Sequence, residues 1–439
     1  MNYQTLLWLS CATLLVVQPV YGLATIKPKP QNNPAIVSKR SAGFTLNDAI
    51  EQALAESPRL EAFHQAVAAA KGEQSQAGVW QNPEVSYSLE NFGGGSAYHL
   101  ISPRQHNVGV SQIIEVGGKI SARRNIASQG LHIALLDEQA AMLDIIRDVT
   151  SAYAELVAAE ETVHFAREQQ ALAEDVLKTV SVRVAAAAAP LIQKNRAEVE
   201  FFTAKITLDK ACRERDIARK KLASIMGAGN FDDQLNGDMF YAIHKPDIED
   251  IDQKLESTPD IVKLNNALLQ SKARLDLEQA NAVPDPRVHA GVIEIPSAKD
   301  QAFVMGVSIP IPVFNANKGN IRKARSEMSR TKMDNRQALI DLRAQLNQEY
   351  ERMHNAYMQA NTLNHDILPA AGEAFRLARV GYELGRFPYI DVLDAQRSLF
   401  VARQQHIDAL RTFHLTKAQV ERLTAAHVKK ISTSGVNHE

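Results

Sequence analysis

The 439-residue sequence holds two cysteines, Cys11 and Cys212, too few for a disulfide framework or a cysteine-ligated zinc site. Aromatic residues are scarce, at 6%. Neither sign of charge is in excess: 49 lysines and arginines stand against 50 aspartates and glutamates. A nucleic-acid binder would show a clustered basic surplus, so no nucleic-acid partner is expected. After the N-terminus no apolar run approaches the ~18 residues of a spanning helix, which argues against a helical membrane protein. Walker A, Rossmann and Gly-x-Ser-x-Gly motifs are missing. The 13 histidines are scattered, with no His-x-x-x-His pair. These absences leave no basis for an enzyme, a cofactor or a resident metal. What is present is 45% hydrophobic residues, enough for a large core, which excludes global disorder.

Residues 6–17 form a short apolar core, followed by Pro19 and small residues. With Gly22 and Ala24 as cleavage positions, 1–24 reads as a secretory signal peptide, although its start carries no Lys or Arg. Residues 25–43, rich in Pro, Lys, Ser and Asn, read as an extended tether.

The rest of the chain is written twice. Ser57-Pro58 recurs as Thr258-Pro259, Asn82-Pro83 as Asp285-Pro286, and Gly109-Val110-Ser111 as Gly306-Val307-Ser308. Tyr153 recurs as Tyr350 and Pro190 as Pro388. The offsets are 201, 203, 197, 197 and 198. They define a first repeat at 44–226, a linker at 227–250, a second repeat at 251–426 and a flexible tail at 427–439.

Each repeat follows one plan. Thr45 is the expected N-cap of a short helix to about Glu56; helices over 58–79 and 259–281 follow, stopped by Pro83 and Pro286. Strict alternation then predicts strands at about 84–92 and 105–114, joined through Gly93-Gly94-Gly95. The counterparts are strands at about 287–296 and 301–313, the former the weaker pattern. One face is apolar, with Val85, Tyr87, Val108, Val110, Phe303, Met305 and Val307, and nothing nearby in sequence supplies a layer to cover it. From Lys119 to about Ala186 there is no proline. A helix of that length reaches roughly 100 Å at 1.5 Å per residue. Its seam runs through Leu136, Leu143, Ile146, Thr150, Tyr153 and Val157, matched by Leu339, Leu342, Leu346, Tyr350, Met353, Tyr357 and Ala360. Pro190 and Pro388 start returning helices to about 226 and 426, so each repeat ends in a long helical hairpin.

Four strands of membrane-spanning length cannot close a barrel, since closed barrels begin at about eight strands. Open edges are not tolerated in lipid. Pooling strands from several copies solves both problems and gives a pore in the lipid bilayer continued by a helical conduit.

Over 44–426 the sequence resembles the TolC-type outer-membrane efflux channels, and within them the CzcC-like branch of heavy-metal cation efflux. The carrying residues are Glu90-Asn91-Phe92-Gly93-Gly94, Ser111 to Lys119 (SQIIEVGGK), Pro310 to Ile321 (PIPVFNANKGNI) and Val380 to Ala395 (VGYELGRFPYIDVLDA). The resemblance implies a mainly α fold with a small transmembrane β part: a homotrimer with a twelve-stranded barrel continued by an α-helical barrel. It implies the outer membrane of a Gram-negative bacterium, with the helices in the periplasm. The implied function is the channel of a tripartite pump, passing divalent metal cations and working with a periplasmic adaptor protein and an inner-membrane RND-type pump. It further implies that Arg379, Gly381, Tyr382 and Gly385, with Arg183 and Ala187 of the first repeat, form the tip that meets the adaptor. Asp391 and Asp394, three apart and so on one helix face, match the family's aspartate pair at the tunnel constriction. The first-repeat tip departs from the pattern: Val184-Ala185-Ala186-Ala187-Ala188-Ala189 has no glycine. A channel for organic compounds and a non-transporting envelope scaffold are the competing expectations. Histidines on the strands, His106 and His289, are read as isolated polar residues.

Overall fold

A computed structural model describes residues 43–92, 103–246 and 251–427. The expected signal peptide, the Gly93-Gly94-Gly95 loop and nearly all of the tether and of the C-terminal tail lie outside the described residues. Helix α1, Leu46–Glu56, starts with a reciprocal capping box in which Thr45 and Asp48 satisfy each other's backbone N–H. Ser57 then caps α2, Pro58–Ala77, with Pro58 in its first turn where a missing N–H costs nothing. Strands β1, Glu84–Glu90, and β2, Gln105–Ile113, follow. Helix α3, Lys119–Ala185, runs 67 residues and returns as α4, Leu191–Ile225.

The second repeat is entered through a four-residue helix α5, Asp238–Tyr241, and through α6, Ile251–Glu256. Then come α7 (Pro259–Ala280), β3 (Arg287–Ile295) and β4 (Asp300–Ser308). Helix α8, Lys318–Thr362, passes through a π-turn at Leu363–Ile367 into α9, Leu368–Glu383; α10, Tyr389–Leu423, returns. The segment between the repeats is no free linker: Phe44 and Leu235 form a parallel bridge, and Phe240 is buried in the main core.

The four strands form one antiparallel sheet in chain order. The strand expected over 301–313 ends at Ser308, because Pro310 and Pro312 bring no N–H to a ladder. Strand β3, whose alternation is the weaker, sits centrally with partners on both sides. Duplication is visible in the register. Tyr87 pairs with Val108 and Ala290 with Met305, the same pair moved 203 and 197 residues along the chain.

The main core lies where α1, α3, α4, α5, α8 and α10 converge, around Val149, Tyr153, Leu156, Leu222, Met226, Phe240 and Leu410. Tyr153 is fully buried and its hydroxyl reaches the carbonyls of Phe44 (2.8 Å) and Asn236 (2.7 Å). Burial pushes this phenol up to about 12. Tyr350 does the same for the second repeat, donating to the Pro246 carbonyl. The near-buried Arg422 of α10 ties the repeats together: its guanidinium meets Asp144 of α3 and Asp260 of α7, both at 2.6 Å.

Candidate functional site

Two places gather the residues that the sequence singles out: the sheet and the joined hairpin tips. In an antiparallel sheet directly paired residues share a face. The register therefore puts Val85, Val110, Ala290 and Met305 in one row and Tyr87, Val108, Val292 and Phe303 in the next. Those side chains are uncovered, Phe303 and Met305 at 88% and 85% exposure. The opposite face carries Ser86, Gly109, Ser111, Asn107, His289, Gly291 and Gly306. That face also holds Ile113, Ile293 and Val304. Apolar on one side and mostly small or polar on the other, this is the pattern of a strand between lipid and water. Among the described residues β1 and β4 each have one unpaired edge. His289 lies on the polar face, beside Gly306, where a Cβ would overlap its ring. His106 pairs through its ring with the Tyr87 hydroxyl at 2.9 Å.

At the root of the sheet, Lys119 reaches Asp285 (2.6 Å) and the Val283 carbonyl (2.7 Å), while Asp285 accepts from the Val116 N–H. Glu115 pairs with Arg123. These contacts fix where strand β2 turns into helix α3.

At the far end the two hairpins turn side by side. Both turns use one set of hydrogen bonds. The Arg183 carbonyl accepts from Ala188 N–H at 2.8 Å and the Gly381 carbonyl from Arg386 N–H at 2.7 Å. The reversing residue is left-handed in each, Ala187 at φ 55° and Gly385 at φ 71°. The first tip thus makes the glycine-type turn without glycine.

A small core joins the tips, built from Val180, Ala197, Ala378, Tyr382, Tyr389, Val392 and Leu393. Arg183 stacks over the Tyr382 ring at 4.6 Å and donates to its carbonyl at 2.9 Å. The Tyr382 hydroxyl donates to Gln193 Oε1 at 3.3 Å. Burial raises the Tyr382 pKa, opposed by the Arg183 cation. Gly381 is buried under Phe387, whose ring occupies the space a Cβ would need. Arg379 links Asp175 of α3 (3.0 Å) with Glu383 (3.2 Å). Arg397 of α10 pairs with Glu200 of α4.

Of the expected tip residues, the structure brings Arg183 and Tyr382 into direct contact and sets Arg379 beside them. Ala187 and Gly385 occupy the two turn apices. Gly381 and Tyr382 are buried, whereas Ala187, Gly385 and Phe387 are exposed, together with Val182, Leu384 and Ile192, and Arg379 is half-buried. Asp391 and Asp394 lie exposed on the first turns of α10, and no hydrogen bond or ion pair of their side chains is seen among the described residues. Sequence reasoning missed Asp175, Gln193, Phe387, Tyr389 and the Glu200–Arg397 pair. Their one signal is the repeat offset, which sets the two tips level. Tyr389 is buried, its pKa pushed up to about 12 by burial and then by Glu200, and its hydroxyl has no hydrogen-bond partner among the described residues.

Among the described residues no group of three or more His, Cys, Asp or Glu side chains is placed to hold a metal ion, and no helix is long and apolar enough to cross a membrane. The second statement leaves a β-barrel untouched.

The chain is 28% identical over 408 residues to the cobalt-zinc-cadmium resistance protein CzcC of Cupriavidus metallidurans, covering 93% of this chain and 96% of that one. It is 26% identical over 291 residues to the nickel and cobalt resistance protein CnrC of the same organism, covering 66% and 69%. The crystal structure of the outer membrane protein VceC from Vibrio cholerae superposes with a TM-score of 0.72 at 19% identity, over 86% of this chain and 96% of that one. The profile described as outer membrane efflux protein matches residues 49–228 and 251–426, one match per repeat. The chain is a member of the outer membrane efflux protein family and resides in the outer membrane.

Proposed function

We propose that this protein is the outer-membrane channel of a tripartite efflux system for divalent heavy-metal cations. The observation that carries the channel reading is the four-stranded sheet, apolar on one face, mostly small or polar on the other and, among the described residues, unpaired at both edges. Three copies pool twelve strands, remove every edge from lipid and continue as a helical tunnel. The internal repeat supplies the closing register. The intrachain pair Val108–Val292 joins the first repeat to the second. The same shifts applied across copies set Met305 opposite Leu89 of the neighbouring copy. In a Cys212→Ser background, Met305→Cys with Leu89→Cys is expected to yield a disulfide-linked trimer ladder on denaturing gels, and pairs one residue out of register are not.

The tunnel is a passive conduit, with energy drawn from an inner-membrane RND-type pump. Asp391 and Asp394 of three copies line its narrow end with up to six carboxylates, favouring cations. Arg379, Gly381, Tyr382, Gly385, Arg183 and Ala187 form the tip met by a periplasmic adaptor, three of them by shaping it and three by exposure. The metal reading draws on the likeness to CzcC along nearly the whole chain. A deletion strain tested against zinc, cobalt, cadmium, nickel and copper, and against hydrophobic drugs and dyes, decides it. Metal sensitivity restored by the gene is the expected result; sensitivity to organic compounds alone overturns the metal reading.

A further inference from the structure

The two long outgoing helices can be aligned residue by residue through what they bury. From the sheet to the main core the offset is 197: Ala127 matches Ala324, Val149 matches Leu346, Tyr153 matches Tyr350, and Val163 matches Ala360, every one of them buried. Ala166 and Leu363, also buried, still obey it. Nearer the tip the offset is 198. Val180 matches Ala378 in the tip core, Arg183 and Gly381 accept the same turn hydrogen bond, and Ala187 and Gly385 share the left-handed turn position. On the returning helices Ala204 and Ala402, and Ala211 and Ala409, keep 198 and are buried.

One extra residue therefore enters the second repeat between Leu363 and Ala378. A single residue added to a continuous α-helix turns everything beyond it by about 100°. The tip shows no such rotation. The π-turn at Leu363–Ile367 lies in this interval, and a π-turn accommodates one more residue than an α-turn. Pro369 follows, with no N–H for the His365 carbonyl and a ring that crowds it. Gly372 comes three residues later, in open space. The matching stretch of α3, about 166–174, has none of these features and is unbroken helix.

We propose that Leu363–Ile367 holds a one-residue insertion whose wide turn, with Pro369 and Gly372, is a hinge between the main core and the tip of the second hairpin. Leu363 is clamped in the core above it, while Ile367 is exposed and free to follow the segment below. The first hairpin is unbroken α-helix at the same level, so the hinge belongs to the hairpin that carries Asp391 and Asp394.

Three measurements test this on the full-length protein. Native-state hydrogen exchange is expected to run on the order of tenfold faster at 364–372 than at 166–174; equal protection overturns the hinge. Deleting His365 together with Pro369→Ala is expected to leave the melting temperature of the assembled protein unchanged or raised, because the helix becomes α throughout with the tip in register. Deleting Ala171 from α3, which has no wide turn to absorb the loss, is expected to lower it by many degrees. If the His365 deletion is as damaging as the Ala171 deletion, the insertion assignment fails. Pro369→Ala alone keeps the chain length and is expected to slow exchange at 364–372. The last arm rests on the channel reading. A protein lacking the wide turn is expected to open less often in planar bilayers, and unchanged opening with unchanged melting overturns the hinge while leaving the insertion. Absence of any conductance in the unaltered protein would instead count against the channel itself.

Discussion

The two hairpins share a backbone and differ in what they carry. Pro190 and Pro388 precede the returning helices with nearly the same backbone angles, and both turns close on the same hydrogen bonds. Three and six residues after the proline, the first hairpin has Gln193 and Arg196 where the second has Asp391 and Asp394. The first spends Gln193 on Tyr382; the second leaves its carboxylates exposed. The first turns on alanine, the second on glycine. Duplication kept the geometry, while negative charge and bending points were gathered in one copy. A symmetric tube needs only the shared geometry, whereas a selective opening needs a ring of one charge sign, which one hairpin per copy is enough to supply.

The largest expected effect tests that division of labour. Asp391→Asn with Asp394→Asn is expected to reduce cation-over-anion selectivity several-fold in planar bilayers, while Gln193→Ala changes it little. Unchanged selectivity and conductance in the double variant would remove the pair from the constriction.

Next comes the depth at which each repeat is anchored. The Tyr153 hydroxyl is itself buried and meets the carbonyls of Phe44 and Asn236 at 2.8 and 2.7 Å, whereas the Tyr350 hydroxyl meets the Pro246 carbonyl at the longer distance of 3.3 Å. Tyr153→Phe is expected to cost about 1–3 kcal/mol and Tyr350→Phe about 0.5–1.5 kcal/mol in denaturant titrations. Equal losses would mean that the repeats are anchored alike.

The turns themselves give a smaller and opposite pair. A left-handed alanine is strained relative to glycine, so Ala187→Gly is expected to stabilise by up to about 1 kcal/mol. Gly385→Ala is expected to destabilise by about 1 kcal/mol. Thermal melting of the two single variants reads both signs, and a loss on Ala187→Gly would contradict the left-handed assignment.

The smallest effect is a pH dependence. His414 is buried, stacked on Phe240 and bonded to its carbonyl at 2.9 Å; the matching Asp216 of α4 is exposed beside Arg215. Burial holds the His414 pKa below its usual value, with the Phe240 carbonyl pulling the other way and Lys417 and Glu421 nearby. Folding thus favours the neutral ring. Its stabilising contribution is complete above the unfolded-state value near ~6.5 and declines as pH falls below it. His414→Gln is expected to flatten the melting-temperature profile between about pH 7 and 5. Asp216→Asn is expected to leave that window as it is. A parallel profile for His414→Gln and the unaltered protein would show that His414 does not titrate there.

Much of the fold is legible in the sequence because it is set locally. Thr45 and Ser57 mark helix starts by accepting a first-turn N–H, and Pro58 and Pro259 by lacking an N–H where none is needed. Alternation in 84–90 places Val85, Tyr87 and Leu89 on one face before any partner strand is known. The end of β4 was legible too, in Pro310 and Pro312, but the apolar alternation through Ile309, Ile311 and Val313 outweighed them. The candidate site was legible in its turn residues and carboxylates and not in its supports. Asp175 meets Arg379 and Gln193 meets Tyr382 across about two hundred residues, and neither has a local signature.

The sequence by itself determined the duplication, the lengths and starts of the helices, the amphiphilic strands and the two reversal points, because each follows from hydrogen bonding and side-chain period within a few residues. Only the tertiary structure decided that the one-residue difference between the offsets 197 and 198 falls inside a helix and is taken up by a π-turn. It alone also decided that Arg183 lies on Tyr382 and that Arg422 bridges the repeats. Those pairings arise from surfaces brought together by burial along long, nearly rigid helices, and burial depends on the whole assembly of elements, which no short window of residues encodes.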